Sequence, residues 1–373
     1  MTDLNTGSGV DYNKLDKGKL GAQDFARMTD GNLAGCFDIQ TFLPSRGESV
    51  FLMREGNHYR AYLIEGLGTL NLVADAYQLV REVPGARYDV IGYSTVASII
   101  NDLLTAGALP IVVGQYLALE KGEWLDEVLL RAEALNRGFK EGCDDARCIW
   151  GPGETPGLKG IIVPGTIDIA GFAAGRTPGL EPWCYERLVP GDAIVFLESS
   201  GLHMNGVTAI RENVVPKLPD GYATIVPGTG RALGDELLVK AHIYRGAVAF
   251  ALEEGFDIHY STHISGHGLR KIMRAPQDLT YVVETLPTER PLFPYLQEQL
   301  GYDNKKMCSS YNEGVGFALF MPERDAGRFV RLGNKQGWPY HAFVAGRVEA
   351  GEKKVIIEPL GNLTLPGDSM HIR

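Results

Sequence analysis

Apolar and polar positions along the chain sort into short strands and longer helical stretches separated by glycine. Ser49–Arg54 and Tyr59–Ile64 flank Glu55-Gly56-Asn57-His58, which predicts two strands of a hairpin. Val90–Thr105 carries apolar residues at helical spacing, with Asn101 and Asp102 as polar exceptions and Gly107 as its stop. Glu123–Gly142 predicts a second amphipathic helix, with Leu125, Val128, Leu129, Ala132 and Leu135 on one face. Cys148-Ile149-Trp150 reads as a strand stub running into Gly151-Pro152-Gly153-Glu154-Thr155. Ile161–Ala174 reads as a strand bent at Pro164-Gly165. After a segment from Gly175 to Gly191 that holds Pro178, Gly179, Pro182 and Pro190, the buried strand Ala193–Glu198 begins. Arg231–Glu254 is expected to be largely helical. Asp257–Tyr260 enters a glycine loop expected to open another helix, and strands Val315–Met321 and His341–Val348 bracket a helix over Glu323–Lys335.

Length allows about two domains at roughly 150 residues each. The Pro/Gly segment is the expected boundary, giving a polar arm over 1–45, a first domain over 46–175 and a second over 176–373. With 45% hydrophobic residues, disorder is not expected. The net charge of −10 and the lack of a basic stripe disfavour nucleic acid and anionic membranes as partners. No apolar run approaches the ~20 residues of a membrane span, and Met1-Thr2-Asp3-Leu4 lacks the pattern of a secretory signal, so a cytoplasmic protein is expected. Cys36, Cys143, Cys148, Cys184 and Cys308 form no CxxC pair and are expected to be structural thiols. Trp124, Trp150, Trp183 and Trp338 are expected in the core or an interface. The chain holds 46 glycines in 373 residues, against about 7% in an average protein. Many stand beside Asp, Glu, Asn, Thr or His, as in backbone-lined ligand loops.

Two such loops, Gly201-Leu202-His203-Met204-Asn205-Gly206 and Ser265-Gly266-His267-Gly268, precede predicted helices and offer free N–H groups to phosphate. A tight turn that only glycine fits would explain each equally well. Glu65, Asp102 and Glu154 are carboxylates in otherwise apolar or glycine-rich segments. Each needs a partner, either Mg²⁺ or a cap or salt bridge. His203, His263 and His267 suit phosphate binding or proton transfer near neutral pH, and no carboxylate pairing in their loops points to a metal.

In order along the chain, Gly9-Val10-Asp11-Tyr12, Glu65-Gly66-Leu67-Gly68-Thr69, Asn101-Asp102-Leu103, Gly153-Glu154-Thr155, the Gly201–Gly206 loop, Thr262-His263-Ile264-Ser265-Gly266 and Asn312-Glu313-Gly314-Val315-Gly316 resemble the aminoimidazole ribonucleotide synthetases, the phosphoribosylformylglycinamidine cyclo-ligases of purine biosynthesis. The resemblance spans about residues 9 to 322. It implies a two-domain α/β (α+β) fold whose N-terminal domain gives strands to a dimer-spanning β-barrel, and a homodimer acting on a small-molecule nucleotide. It also implies ATP and Mg²⁺, with phosphoryl activation of an amide oxygen before ring closure.

By the same resemblance, Glu65, Gly66, Gly68, Thr69, Asn101, Asp102, Gly153, Glu154 and Thr155 bind the nucleotide, with Glu65, Asp102 and Glu154 on the metal. Gly201, His203, Asn205, Gly206 and Gly266 bind substrate, and His263, Thr262 and His203 lie at the reacting centre. Asp168 is either structural or near the metal. The chain departs from the pattern in four places. Glu65 stands where many members have Asp, and Leu70 replaces the usual Lys after Gly-x-Gly-Thr. His267 interrupts a glycine run, and Pro152 interrupts a glycine pair. These departures leave room for an ATP-dependent paralogue with another amide or phosphoryl acceptor, or for a nucleotide-binding protein without catalysis.

Overall fold

The computed structural model describes residues 12–35, 37–81, 84–126, 130–288 and 290–370. Two sheets organise it. The first has strand order β1-β2-β3-β6-β4-β5, built from Ile39–Thr41, Phe51–Glu55, His58–Gly66, Leu109–Leu119, Ile149–Glu154 and Ile167–Arg176 in chain order. Its pairs are antiparallel except β4–β5. The second has order β13-β12-β9-β11-β7-β10-β8. It is formed by β7 (Asp192–Glu198), β8 (Tyr260–His263), β9 (Leu279–Val283), β10 (Val315–Pro322), β11 (Ala342–Ala350), β12 (Lys354–Ile357) and β13 (Leu363–Pro366). Helices are α1 (Tyr12–Arg27), α2 (Leu70–Gln78), α3 (Tyr88–Leu104), α4 (Arg131–Ala146), α5 (Val207–Asn213), α6 (Leu233–Leu237), α7 (Arg245–Glu253), α8 (Leu292–Leu300), α9 (Asn304–Ser310) and α10 (Glu323–Gly333).

The expected hairpin forms as β2 and β3, paired Glu55 to His58 around Gly56 at φ +56°. α3 is apolar on every side because it is buried on every side. It packs between the first sheet and α4 and touches the second half of the chain at α7 and β8, and Asn101 and Asp102 stand in its last turn. The main core runs from Ala61 and Ala173 through Ile99 and Leu103 to Val195, Leu197 and Phe317. A second cluster, with Ile194, Phe196, Ala318 and Phe320, fills the opposite face of β7 and β10. Both faces of those strands are therefore covered, which explains their unbroken apolar runs.

Several expectations shift. The second amphipathic helix begins at Arg131, after a 3-10 turn over Gly122–Leu125 and a left-handed Leu130 (φ +54°) that a continuous helix cannot contain. Val128 and Leu129 lie outside the described residues. The strand expected from Ile161 starts at Ile167, because Gly160 (φ +85°) and Gly165 (φ +80°) turn the chain first. The helix expected over Arg231–Glu254 splits into α6 and α7. Between them, the Asn101 amide takes up the backbone of His242 and Tyr244. The element after the Ser265–Gly268 loop is a 3-10 helix, Gly268–Met273. The polar arm contains α1. Among the described residues no helix is long and apolar enough to cross a membrane. Cys143, Cys184 and Cys308 are buried and Cys148 half-buried, all as free thiols, while Cys36 lies outside the described residues.

Candidate functional site

A cavity of about 520 Å³ opens where α1, the end of β3, the end of α3 and the loop after β8 meet. Its lining includes Glu65, Gly66, Asp102, Asn205, His263 and Gly266, six of the residues singled out by sequence. Asp102 arrives at the C-terminal end of α3, where the helix dipole disfavours a carboxylate. Burial too raises its pKa, but the hydrogen bond and charge of His263, with Lys271 and Arg274, hold it below the ordinary range. The Asp102 Oδ1 to His263 Nδ1 distance is 2.8 Å. Nε2 of His263 is buried with no hydrogen-bond partner among the described residues, and so is Oγ1 of the adjacent Thr262.

Glu65 ends β3, half-buried, with its own Oε1 accepting from the Gly66 N–H at 3.1 Å. Burial, and then the charge of Asp102, push its pKa up to about 7. A carboxylate whose proton affinity is raised by the charge of a second one beside it suits a divalent cation, whose charge would let both ionise. Among the described residues no group of three or more His, Cys, Asp or Glu converges as a metal cage. Mg²⁺ here would rely on Glu65 and Asp102 with phosphate oxygens and water, its usual manner of binding.

The other expected residues lie outside the cavity lining. Gly68 (φ +79°) turns the chain, and Thr69 precedes α2 without a side-chain capping bond, its hydroxyl lying 2.9 Å from that of Thr208. Asn101 is committed to the backbone of His242 and Tyr244. Gly153, Glu154 and Thr155 are exposed at the end of β5, with Glu154 paired beside Tyr116, so the three expected metal carboxylates do not meet in one protomer. Asp168 is exposed on the outer face of β6. Gly201 and Gly206 shape the loop before α5, and a Cβ on Gly206 would stand 2.1 Å from the Tyr311 ring. His203 is buried at φ +58° and accepts from the Ser200 N–H at Nε2, at 3.3 Å. Its proton therefore sits on Nδ1, and burial drives its pKa well down. Gly9-Val10-Asp11 lies outside the described residues. Leu70 is fully buried at the first turn of α2, a core position rather than a cavity position.

Five charged lining residues were not singled out by sequence: Asp16, Lys19, Glu48, Lys271 and Arg274. Asp16 is buried on α1, 3.6 Å from Lys19 Nζ and 3.6 Å from His267 Nε2. Burial pushes His267 down to about 4 against the pull of Asp16. Arg274 donates to Glu48 Oε2 at 3.1 Å and to the Gly47 carbonyl at 2.6 Å. The available signal was Arg270, Lys271 and Arg274, three cations in an otherwise apolar run directly after a glycine loop.

This two-sheet fold, with its cavity at the meeting of the halves, defines the class of AIR synthase related proteins. The family's N-terminal domain model matches residues 64–177 and its C-terminal domain model matches 189–358. The phosphoribosylformylglycinamidine cyclo-ligase of Clostridium kluyveri is 32% identical over 332 residues, 86% of this chain and 93% of that one. Its counterpart in Pseudothermotoga lettingae is 30% identical over 359 residues, 94% of this chain and 98% of that one. The chain belongs to the phosphoribosylformylglycinamidine cyclo-ligase family. Solved structures share the fold at lower identity. HypE in its complex with HypF has a TM-score of 0.57 at 18% identity, covering 83% of this chain and 89% of that one. ThiL complexed with AMPPCP and TMP has 0.57 at 16%, covering 84% and 87%.

Proposed function

We propose that the chain is an ATP-dependent cyclo-ligase that converts formylglycinamidine ribonucleotide to aminoimidazole ribonucleotide, in the cytoplasm and as a homodimer. The observation that carries the reading is the cavity itself. Two carboxylates, a carboxylate-oriented histidine and two buried cations line one space large enough for a nucleotide's phosphates. Fold relatives support the nucleotide part: HypE was solved with ATP, and ThiL and PurL with AMPPCP.

In this reaction the substrate's amide oxygen takes the terminal phosphoryl group of ATP. The amidine nitrogen then attacks the activated carbon, and phosphate leaves as the ring closes. Glu65 and Asp102 would hold Mg²⁺, which neutralises phosphate charge when bound. Asp102 accepts from His263 Nδ1–H and so leaves the Nε2 lone pair free to take the proton that the amidine nitrogen sheds. Thr262 and His203, buried behind the cavity lining, would support that centre rather than touch the substrate directly. We assign Gly201, Asn205, Gly206 and Gly266 to the substrate, and Gly66, Gly68, Thr69 and Asn101 to shaping the nucleotide side. Gly153, Glu154 and Thr155 would serve a site only across the dimer. The reading keeps the arm at 1–45 and the domains at 46–175 and 176–373.

The test is ADP release together with imidazole product, both dependent on formylglycinamidine ribonucleotide and Mg²⁺. Asp102→Asn should lower kcat by about a hundredfold or more, since it loses a carboxylate toward the metal and the orientation of His263. No ADP and no imidazole product from folded wild-type protein would reject the activity. ADP released only with a different acceptor would favour the paralogue reading, which the core position of Leu70 keeps in play.

A further inference from the structure

Lys271 stands on the 3-10 helix Gly268–Met273, which Arg270 anchors from beneath. The fully buried Arg270 guanidinium donates to the carbonyls of Ser309 and Ser369. Lys271 is only 7% exposed, yet it lines the cavity. Its neighbours there are Glu65 from β3, Asp102 from α3, His263 from β8, Asp16 and Lys19 from α1, and His267 and Arg274 from its own segment. Every other cation in that set has a fixed partner: Arg274 has Glu48 and the Gly47 carbonyl, and Lys19 has Asp16. The Lys271 ammonium has no hydrogen bond or ion pair among the described residues. Burial, followed by the charge of Arg274, pushes its pKa down to about 8, so it remains largely protonated at neutral pH.

A buried ammonium with no anion of its own is costly unless a ligand supplies one. The position after Gly66-Leu67-Gly68-Thr69, where the resemblance puts a lysine, is here Leu70 in the core. We infer that Lys271 is an anion-binding residue that reaches the cavity's phosphoryl ligand from the loop after β8, in place of the cation missing at residue 70. The inference rests on the cyclo-ligase reading for its ligand, a phosphate ester. The phosphoryl oxygens could belong to the triphosphate of ATP or to the phosphate of the ribonucleotide, and both offer the same chemistry.

The test compares wild type, Lys271→Met and Lys271→Arg by calorimetry with ATP·Mg²⁺ and, separately, with inorganic phosphate. Lys271→Met should weaken one of the two by about tenfold or more, while Lys271→Arg stays within about threefold of wild type. Loss on ATP alone assigns the triphosphate, and loss on phosphate alone assigns the ribonucleotide's phosphate. In the wild-type protein, acetic anhydride labelling read by peptide mass spectrometry should show Lys271 shielded by the same ligand, and exposed Lys335 unaffected. This arm decides the matter should Lys271→Met fail to fold. Unchanged affinity for both ligands in Lys271→Met, unprotected Lys271, or a wild type that binds neither ligand would each overturn the inference. Tight, Lys271-dependent ATP binding without imidazole product would instead leave it standing and remove the cyclo-ligase activity alone.

Discussion

Glu313 shows how much one side chain can bias the whole chain's response to pH. It sits at φ +49° between Asn312, whose amide donates to the Gly201 carbonyl, and Gly314, and its Oε1 is buried with no hydrogen-bond partner among the described residues. Burial pushes its carboxyl from 4.5 up to about 7. The native state therefore keeps a proton that the unfolded chain releases from about pH 4.5 upward. Its contribution is fully present below that value and is lost as pH rises to about 7, on the order of 3 kcal/mol in all. Glu313→Gln cannot ionise, so it should gain on wild type by about that amount between pH 5 and pH 8 in urea unfolding. A difference between the two proteins that does not change with pH would mean that Glu313 is charged in the native state.

Among elements, the contact of α3 with α4 is the tightest test of packing. Gly138 lies inside α4, where Ala would ordinarily be favoured by about 1 kcal/mol. A Cβ there would stand 1.9 Å from the Asp89 carbonyl oxygen, which is backbone and has no rotamer to yield. Gly138→Ala should thus destabilise, by about 3 kcal/mol. Gly18→Ala in α1, with nothing within 4 Å of its Cβ, should be neutral or slightly stabilising by the same unfolding measurement. If the two substitutions behave alike, the helices are further apart than described. The same contact explains what the sequence could and could not convey. α3, the hairpin, β7, β10 and α10 were legible because each carries its own periodic or unbroken apolar pattern. The break between α6 and α7 was not, because a side chain 141 residues away in α3 dictates it. The site was half legible for a similar reason. Glu65, Asp102 and His263 stand out as polar residues at glycine edges. Asp16 and Lys271 gain meaning only when α1 and the loop after β8 meet across the cavity, and the exposed position of Glu154 depends on a strand order that no local pattern encodes.

The whole molecule leaves one surface unexplained by its own core. The outer face of the first sheet exposes Tyr62, Ile64, Ile111, Tyr116, Ile149 and Phe172, with Ile64 paired opposite Phe172 on the neighbouring strand. An isolated apolar side chain in water is ordinary, but a contiguous sheet face of them is a hallmark of an interface. A second copy of the chain is the occupant that the family's dimer-spanning barrel implies. Glu154 stands at the edge of that face, next to Tyr116. If copies pair there, aspartate at Phe172 or Ile149 would bury a charge against apolar strands, so Phe172→Asp and Ile149→Asp should sediment as monomers where wild type sediments as a dimer. Neither residue lines the cavity of its own protomer. A monomeric but folded variant that loses Mg²⁺-dependent ADP release would therefore place part of the site, with Glu154 the first candidate, on the opposite copy. Full activity in the monomer would confine the chemistry to Glu65, Asp102 and His263 of one chain.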